Sequence, residues 1–583
     1  MLVREINPLR PYDTLMWGYL TQQVVCAGTT HNVLVYIPDG VRPSTSGVII
    51  LGPNGLSAQE ILEKSGWKSL ADEEPPDKKM ILFVPEPPEN GWDIREEYGA
   101  PGGGVGYINS LLDVVMERLH YCVHESKIYL FGEAEGGSLA VMATAFNPAR
   151  YAGLVTIDAL PVSPSYLTAC GEALCTDLYG FEADSGCLWK KGDTPVPYWM
   201  IESDQIRNTQ AVLSYFLKCN GSELDPACGP IDTKIFSRKQ PTAYPINQEA
   251  AACPVWRTVG KERIPVLKIW EEFLSAHRRW MGDPCGDLRM SISATAKNIE
   301  ARCEEIGGYA REWLIYVPDI VKNGRVKNPP LVFALHGYSC SAEIYLGNSG
   351  WNKVADSRGF IVIFPSALPR KVTLENHDGN MALPCWNVLW SHEEGPDEFA
   401  FFMRMLEDVQ EKYEIDRTRV YATGHSMGSL MTSSLVLHYP NLFAAAAPCS
   451  GVFFEAMYEQ IMREPEFSPD NTAPIPVWMF AGRNEQWLID AEPTADNSTG
   501  KTILFWHRHN RLPGLAEAKF KCEGTSYQER WHDIVYSDKS GAPAVRYSKL
   551  DYFPHATMPE MSFRIWDEFF SHWKKEGCQS TWL

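Results

Sequence analysis

Residues 418–438 read TRVYATGHSMGSLMTSSLVLH. The opening RVYAT is a short β-branched and aromatic run, the pattern of a buried parallel strand. The closing SLMTSSLVLH has apolar residues at helical spacing. Between them stands Gly424-His425-Ser426-Met427-Gly428. A serine on so sharp a strand-to-helix turn is pushed out of the chain, with its hydroxyl above the sheet. The flanking glycines are required because a side chain at either position would collide across the turn. Ser426 is therefore the candidate nucleophile, and the fold is one that supplies a strand, a turn and a helix in that order.

The same alternation extends outward. LVFAL (331–335), FIVIF (360–364) and VWMF (477–480) are further short runs bounded by turn residues, and EFAFFMRMLEDVQEKYE (398–414) has helical spacing. Strands alternating with helices predict an α/β fold with a mostly parallel, doubly wound sheet, whose chemistry sits on loops at the carboxyl ends of the strands.

A nucleophilic serine needs a base and an acid that orients it, in chain order serine, acid, histidine for this arrangement. Of the histidines after Ser426, His438, His507, His509 and His572 fall in predicted helices. His555, in YFPHATMPE, follows the strand-like run VRYSKLDYF and precedes the last helix, so it lies on a carboxyl-end loop. His532 is second choice, because it is expected to precede its strand and face the other edge. The acid should follow VWMF: Glu485 fits, with Asp490 as the alternative. Oxyanion donors are expected from the backbone N–H of Met427, just after the nucleophile, and of Tyr338, in the loop after LVFAL. Trp386 and His425 are expected at the substrate cleft, with loop packing an equal reading of Trp386.

The segments LHGYSCSAE (335–343), PCWN (384–387), PDEFAF (396–401), RVYATGHSMGS (419–429) and YFPHATMP (552–559) together resemble the polyhydroxybutyrate depolymerase and feruloyl esterase group of α/β hydrolases. The resemblance covers most of 310–575. It implies Ser426 and His555 as nucleophile and base. It also implies the acid at the position of Glu485, where that group usually has Asp. Further implications are carboxylic-ester substrates, either aromatic acyl esters or short polyester units, and no cofactor.

The chain also resembles itself. VIILGPNGLSAQEILEKSGW (48–67) aligns without a gap on VFALHGYSCSAEIYLGNSGW (332–351), and residues 126–155 align on 418–447. PYWMIESDQ (197–205) matches PVWMFAGRNEQ (476–486), and KIWEEFLSAHRRW (268–280) matches RIWDEFFSHWKK (564–575). With SGWKSLAD (65–72) on SGWNKVAD (349–356), five blocks in one order predict two tandem copies of one domain, 1–285 and 286–583, joined by the Gly/Pro-containing MGDPCGD (281–287). In the first copy the elbow is Gly132-Glu133-Ala134-Glu135-Gly136, so Ala134 stands where the nucleophile should be. Gly52-Pro53-Asn54 replaces His336-Gly337-Tyr338. The histidine position falls near Val259, and Asp204 could match the acid. The first copy is expected to be inactive and to pack on the second.

Composition sets outer bounds. With 73 acidic and 53 Lys and Arg residues the net charge is −20, which disfavours nucleic acid and anionic membrane surfaces as partners. There is no apolar run long enough to span a bilayer. The start, MLVREINPLRPYDTLMWGYL, lacks a secretory pattern, which points to the cytoplasm unless a leader was removed. The 15 cysteines are scattered and show no zinc spacing; a Cys340–Cys385 bridge is left open. So is homo-oligomer formation. A peptidase, an acyltransferase and a non-catalytic binding protein are the rival readings. Decay confined to the first copy argues against the last.

Overall fold

The computed structural model describes residues 2–94, 102–116, 121–175, 189–203, 209–238, 249–280, 286–371, 382–388, 395–468, 471–485, 488–520, 526–527 and 530–583. Asp204 and most of the expected linker, 281–285, lie outside these. The chain forms two compact units. One comprises 1–7, 12–291 and 370–383; the other comprises 8–11, 292–369 and 384–583. The division at 291/292 falls later than the expected 285/286 because Asp287–Met290 pairs antiparallel with His277–Trp280 and so belongs to the first unit.

The first unit builds β1 (Met16–Cys26), β2 (Thr29–Ile37), β3 (Thr45–Leu51), β4 (Met80–Pro85), β5 (Val123–Glu133), β6 (Gly153–Ile157), β7 (Tyr198–Glu202) and β8 (Val255–Val259). They pair in the order β1-β2-β4-β3-β5-β6-β7-β8, with Leu2–Val3 beside β1, and Lys234–Phe236 then Ala227–Cys228 beyond β8. The second unit builds β9 (Ile299–Ile306), β10 (Tyr309–Tyr316), β11 (Leu331–Leu335), β12 (Ile361–Pro365), β13 (Val420–His425), β14 (Ala445–Cys449), β15 (Val477–Gly482), β16 (Trp531–Tyr536) and β17 (Val545–Leu550). Their order is β9-β10-β12-β11-β13-β14-β15-β17-β16, then Ser526–Tyr527. The run from β12 to β17 is parallel. Every residue of β11, β12, β13, β14 and β15 is buried, as strands covered by helices on both faces must be. This is an α/β fold.

Two details explain sequence blocks shared by the units. Ser57 and Ser341 each cap a helix, accepting from the N–H groups of Glu60 and Ile344. Each of these helices ends at a left-handed glycine, Gly66 (φ 85°) or Gly350 (φ 76°), followed at once by a fully buried tryptophan, Trp67 or Trp351. The preceding Ser65 and Ser349 hydroxyls accept from the Trp67 and Trp351 N–H groups at 3.3 and 3.5 Å. Ser-Gly-Trp is thus a helix-to-helix corner in which only glycine tolerates the backbone.

In the second unit the chain leaves β11 toward β12 but leaves β13 toward β14. The two strands are neighbours, so a crevice opens at their carboxyl ends. His336-Gly337-Tyr338 follows β11 there, and Ser426 follows β13.

Candidate active site

Ser426 has φ 56° and ψ −119°, a strained conformation for a non-glycine residue, and caps the helix Met427–His438. The strain is held by close packing. A Cβ on Gly424 would lie 2.4 Å from the Gly428 carbonyl oxygen, and one on Gly428 would lie 2.4 Å from that of Leu335. Both glycines are sterically obligatory. The Ser426 N–H donates to the Cys449 carbonyl at 2.9 Å, tying the turn to β14.

Glu485 closes a short 3-10 turn, Arg483–Glu485, directly after β15 and is wholly buried. One carboxylate oxygen, Oε2, lies 2.5 Å from His555 Nδ1. The other accepts the Gly482 N–H at 2.5 Å. A carboxylate on Nδ1 fixes the tautomer in which Nε2 carries no hydrogen and can accept a proton. The His555 ring sits 4.8 Å from that of His425, the residue before Ser426, so His555 lies beside the elbow. Asp490 does not take part: it is exposed, and its oxygens accept from Glu492 N–H and Asn497 Nδ2. His532 lies within β16 rather than before it. Because β16 is antiparallel, its start is at the carboxyl edge of the sheet, not the far edge; the Nε2 atom there is engaged by Asp551 at 2.8 Å.

The loop after β11 abuts the nucleophile: a Cβ on Gly337 would stand 3.2 Å from Ser426 Cβ. Tyr338 next to it is half-buried, and Met427 opens the helix behind Ser426. His336 is fully buried. Its Nε2 accepts the Ala367 N–H at 3.0 Å and its Nδ1 donates to the Gly337 carbonyl at 2.6 Å. Burial pushes its pKa down to about 4, so the ring is neutral and serves as a strut.

Trp386 is 1% exposed and does not line an open cleft. Its indole N–H donates to the His336 carbonyl at 2.8 Å, so it braces the loop after β11. Trp92 does the same in the first unit, donating to the Gly52 carbonyl at 2.8 Å. A tryptophan at this place in both units is the signal that could have identified a brace. His425, expected at the substrate, is 6% exposed and packs between His555 and Gly337. Cys340 and Cys385 are not bridged; the Cys385 sulfur lies 3.7 Å from that of Met427. Sequence reading also missed Ser450, whose hydroxyl reaches Glu485. Among the described residues no three or more His, Cys, Asp or Glu are grouped to hold a metal ion.

The first unit has an elbow of the same backbone form with alanine in place of serine. Ala134 has φ 50°, close to that of Ser426. The Asn54 N–H, on the loop after β3, meets the Glu135 carboxylate at 3.4 Å. Only Gly260–Pro265 separates β8 from the helix Val266–Glu272, whereas Asp551–Met558 separates β17 from the helix Pro559–Glu568. Val259 is the last residue of β8, so the segment that would carry a histidine is shortened.

Residues 313–464 match the family model "Esterase PHB depolymerase". That span holds Ser426, while Glu485 and His555 lie beyond it. Feruloyl esterase B of Thermothelomyces thermophilus is 34% identical over 162 residues, which is 27% of this chain and 50% of that protein. Poly(3-hydroxyalkanoate) depolymerase C of Paucimonas lemoignei is 33% identical over 133 residues, 22% of this chain and 30% of that one. A solved acetyl xylan esterase from Aspergillus awamori aligns over 47% of this chain and 98% of its own, at 18% identity and a TM-score of 0.34. The matches thus span 30% to 50% of the length of these two curated relatives. Residues 313–464 are similar to the Esterase PHB depolymerase family, and the chain resembles a feruloyl esterase and a poly(3-hydroxyalkanoate) depolymerase.

Proposed function

We propose that the second unit hydrolyses carboxylic esters, with Ser426 as nucleophile, His555 as general base and acid, and Glu485 as the orienting carboxylate. The observation that carries this is the 2.5 Å contact from His555 Nδ1 to a buried carboxylate, at the carboxyl edge where the Ser426 elbow stands. His555 takes the serine proton as Ser426 attacks the ester carbonyl and returns it to the departing alcohol. An acyl-enzyme remains. Water, deprotonated by the same imidazole, then releases the acid. Backbone N–H groups of Met427 and Tyr338 receive the oxyanion, each worth about 3–4 kcal/mol in reactions of this kind. The substrate class is an aromatic acyl ester or a short polyester, in keeping with the feruloyl esterase and poly(3-hydroxyalkanoate) depolymerase relatives.

The first unit is proposed to be non-catalytic. It has alanine at the elbow, an Asn54 N–H at the place of Tyr338 that already meets the Glu135 carboxylate, and a shortened segment where the histidine would be. Its role is then structural.

The test is Ser426→Ala, assayed on p-nitrophenyl esters of increasing chain length, methyl ferulate and a hydroxybutyrate oligomer. Turnover should fall by a factor on the order of 10⁶ on every substrate the native chain accepts. Retention within tenfold would remove Ser426 from the mechanism.

A further inference from the structure

We propose that Ser450 is a positioning residue for the triad, a fourth member that sets the place of Glu485 and of the histidine loop together. The inference rests on the assignment of Ser426, His555 and Glu485 made above.

Ser450 follows β14 directly and is 1% exposed. Its φ is 51°, a left-handed conformation that a serine adopts at a cost. Its N–H is fixed to the Phe480 carbonyl at 2.9 Å, so the side chain is aimed by two neighbouring strands. Its hydroxyl oxygen lies 3.3 Å from Glu485 Oε1 and 3.4 Å from the carbonyl oxygen of Ala556. Ala556 is the residue after His555. The hydroxyl has a single proton and both partners only accept, so that proton is shared between the acid and the loop that carries His555. With the Gly482 N–H on the same Oε1, two donors hold one carboxylate oxygen while the other faces the imidazole.

The first unit supplies an independent observation. Asp158 occupies the matching place: it follows β6, has φ 49°, and its N–H donates to the Ile201 carbonyl at 2.9 Å. Ile201 pairs with Ile157 as Phe480 pairs with Cys449. Two residues after Ile201, the Ser203 N–H donates to Asp158 Oδ1 at 2.8 Å. Two residues after Phe480, the Gly482 N–H donates to Glu485 Oε1. The same backbone amide is thus satisfied by the acid in one unit and by the residue at the position of Ser450 in the other. A side chain at this position therefore points at the place of the acid's carboxylate in either unit. A positive φ at a residue other than glycine in both units fits a position that holds a polar side chain aimed at this place.

The decisive variant is Ser450→Gly, which removes the hydroxyl and relieves the backbone strain. In the full chain, kcat should fall about 10- to 100-fold with KM within twofold, as misplacement of a catalytic group does. The melting temperature should be unchanged or higher. In a Glu485→Ala background the same substitution should have no further effect on kcat. A substrate-free readout is the rate at which phenylmethanesulfonyl fluoride modifies Ser426, followed by intact mass; Ser450→Gly should slow it by the same factor. Labelling of the native chain with Ser450→Gly reacting at an equal rate would overturn this inference alone. An equal loss with and without Glu485 would also overturn it, as would a loss of kcat that only tracks a lowered melting temperature. Failure of the native chain to label at Ser426 would overturn the triad reading, and this one with it.

Discussion

At the residue scale, burial decides protonation before chemistry does. His336, His277 and His509 are each buried, and each is pushed down to about 4. Each is neutral in the fold and titrates near 6.5 once unfolded. Below about pH 6.5 the unfolded chain binds protons that the folded chain refuses, so stability falls as pH falls toward about 4 and levels off below it. Each group should cost about 2 kcal/mol between pH 7 and pH 5. His336→Gln should accordingly lose about 2 kcal/mol less than the native chain over that interval, read from urea transitions of the second unit. Equal losses at the two pH values in both proteins would show that His336 is not held neutral. Side-chain type alone could not reveal this. A histidine in LVFAL-His-Gly-Tyr reads equally well as a strut or as a participant until its two nitrogens are seen to be occupied.

At the element scale, the shared Ser-Gly-Trp corner is one local solution placed in two surroundings. In the first unit, a Cβ on Gly66 would meet only the Val266 side chain, at 3.2 Å. In the second, a Cβ on Gly350 would lie 2.5 Å from Pro559 Cβ, in the first turn of the helix that follows the histidine loop. Gly66→Ala should therefore cost about 1 kcal/mol, the strain of a left-handed alanine. Gly350→Ala should cost about 2–4 kcal/mol, because overpacking against a proline is added to that strain. Denaturant midpoints of the two units measure the difference, and equal costs would contradict the packing. The motif was legible in the sequence, and so was its need for glycine. The unequal cost was not, because Pro559 is 209 positions away in the chain.

At the scale of the whole molecule, two units carry the same strand order and the same strained elbow, with serine at one elbow and alanine at the other. The proposal that the first unit is non-catalytic predicts that Ala134→Ser in a Ser426→Ala background hydrolyses no ester. A hydroxyl restored at 134 would still lack a base, and the Glu135 carboxylate already meets the Asn54 N–H. Any turnover dependent on residue 134 would overturn that reading. No helix among the described residues is long and apolar enough to cross a membrane.

The alternation of buried strands and helices, the glycine-flanked elbow and the chain order of serine, acid and histidine could all be read in one dimension. Each is a rule about neighbours along the chain: hydrophobic period, turn sterics, or the order in which loops leave a sheet. Ser426, Glu485 and His555 could be put forward as candidates for that reason. What only the tertiary structure decided are matters of direction and distance between segments far apart. Trp386 turns inward to hold His336 instead of outward to a substrate. The antiparallel run of β16 brings His532 to the carboxyl edge. Pairing of Asp287–Met290 with His277–Trp280 moves the boundary between units to 291/292. Ser450 reaches Glu485 because adjacent strands end at one level. A sequence specifies which side chains are available; which of them meet depends on long-range pairing and packing, and these exist only once the chain has folded.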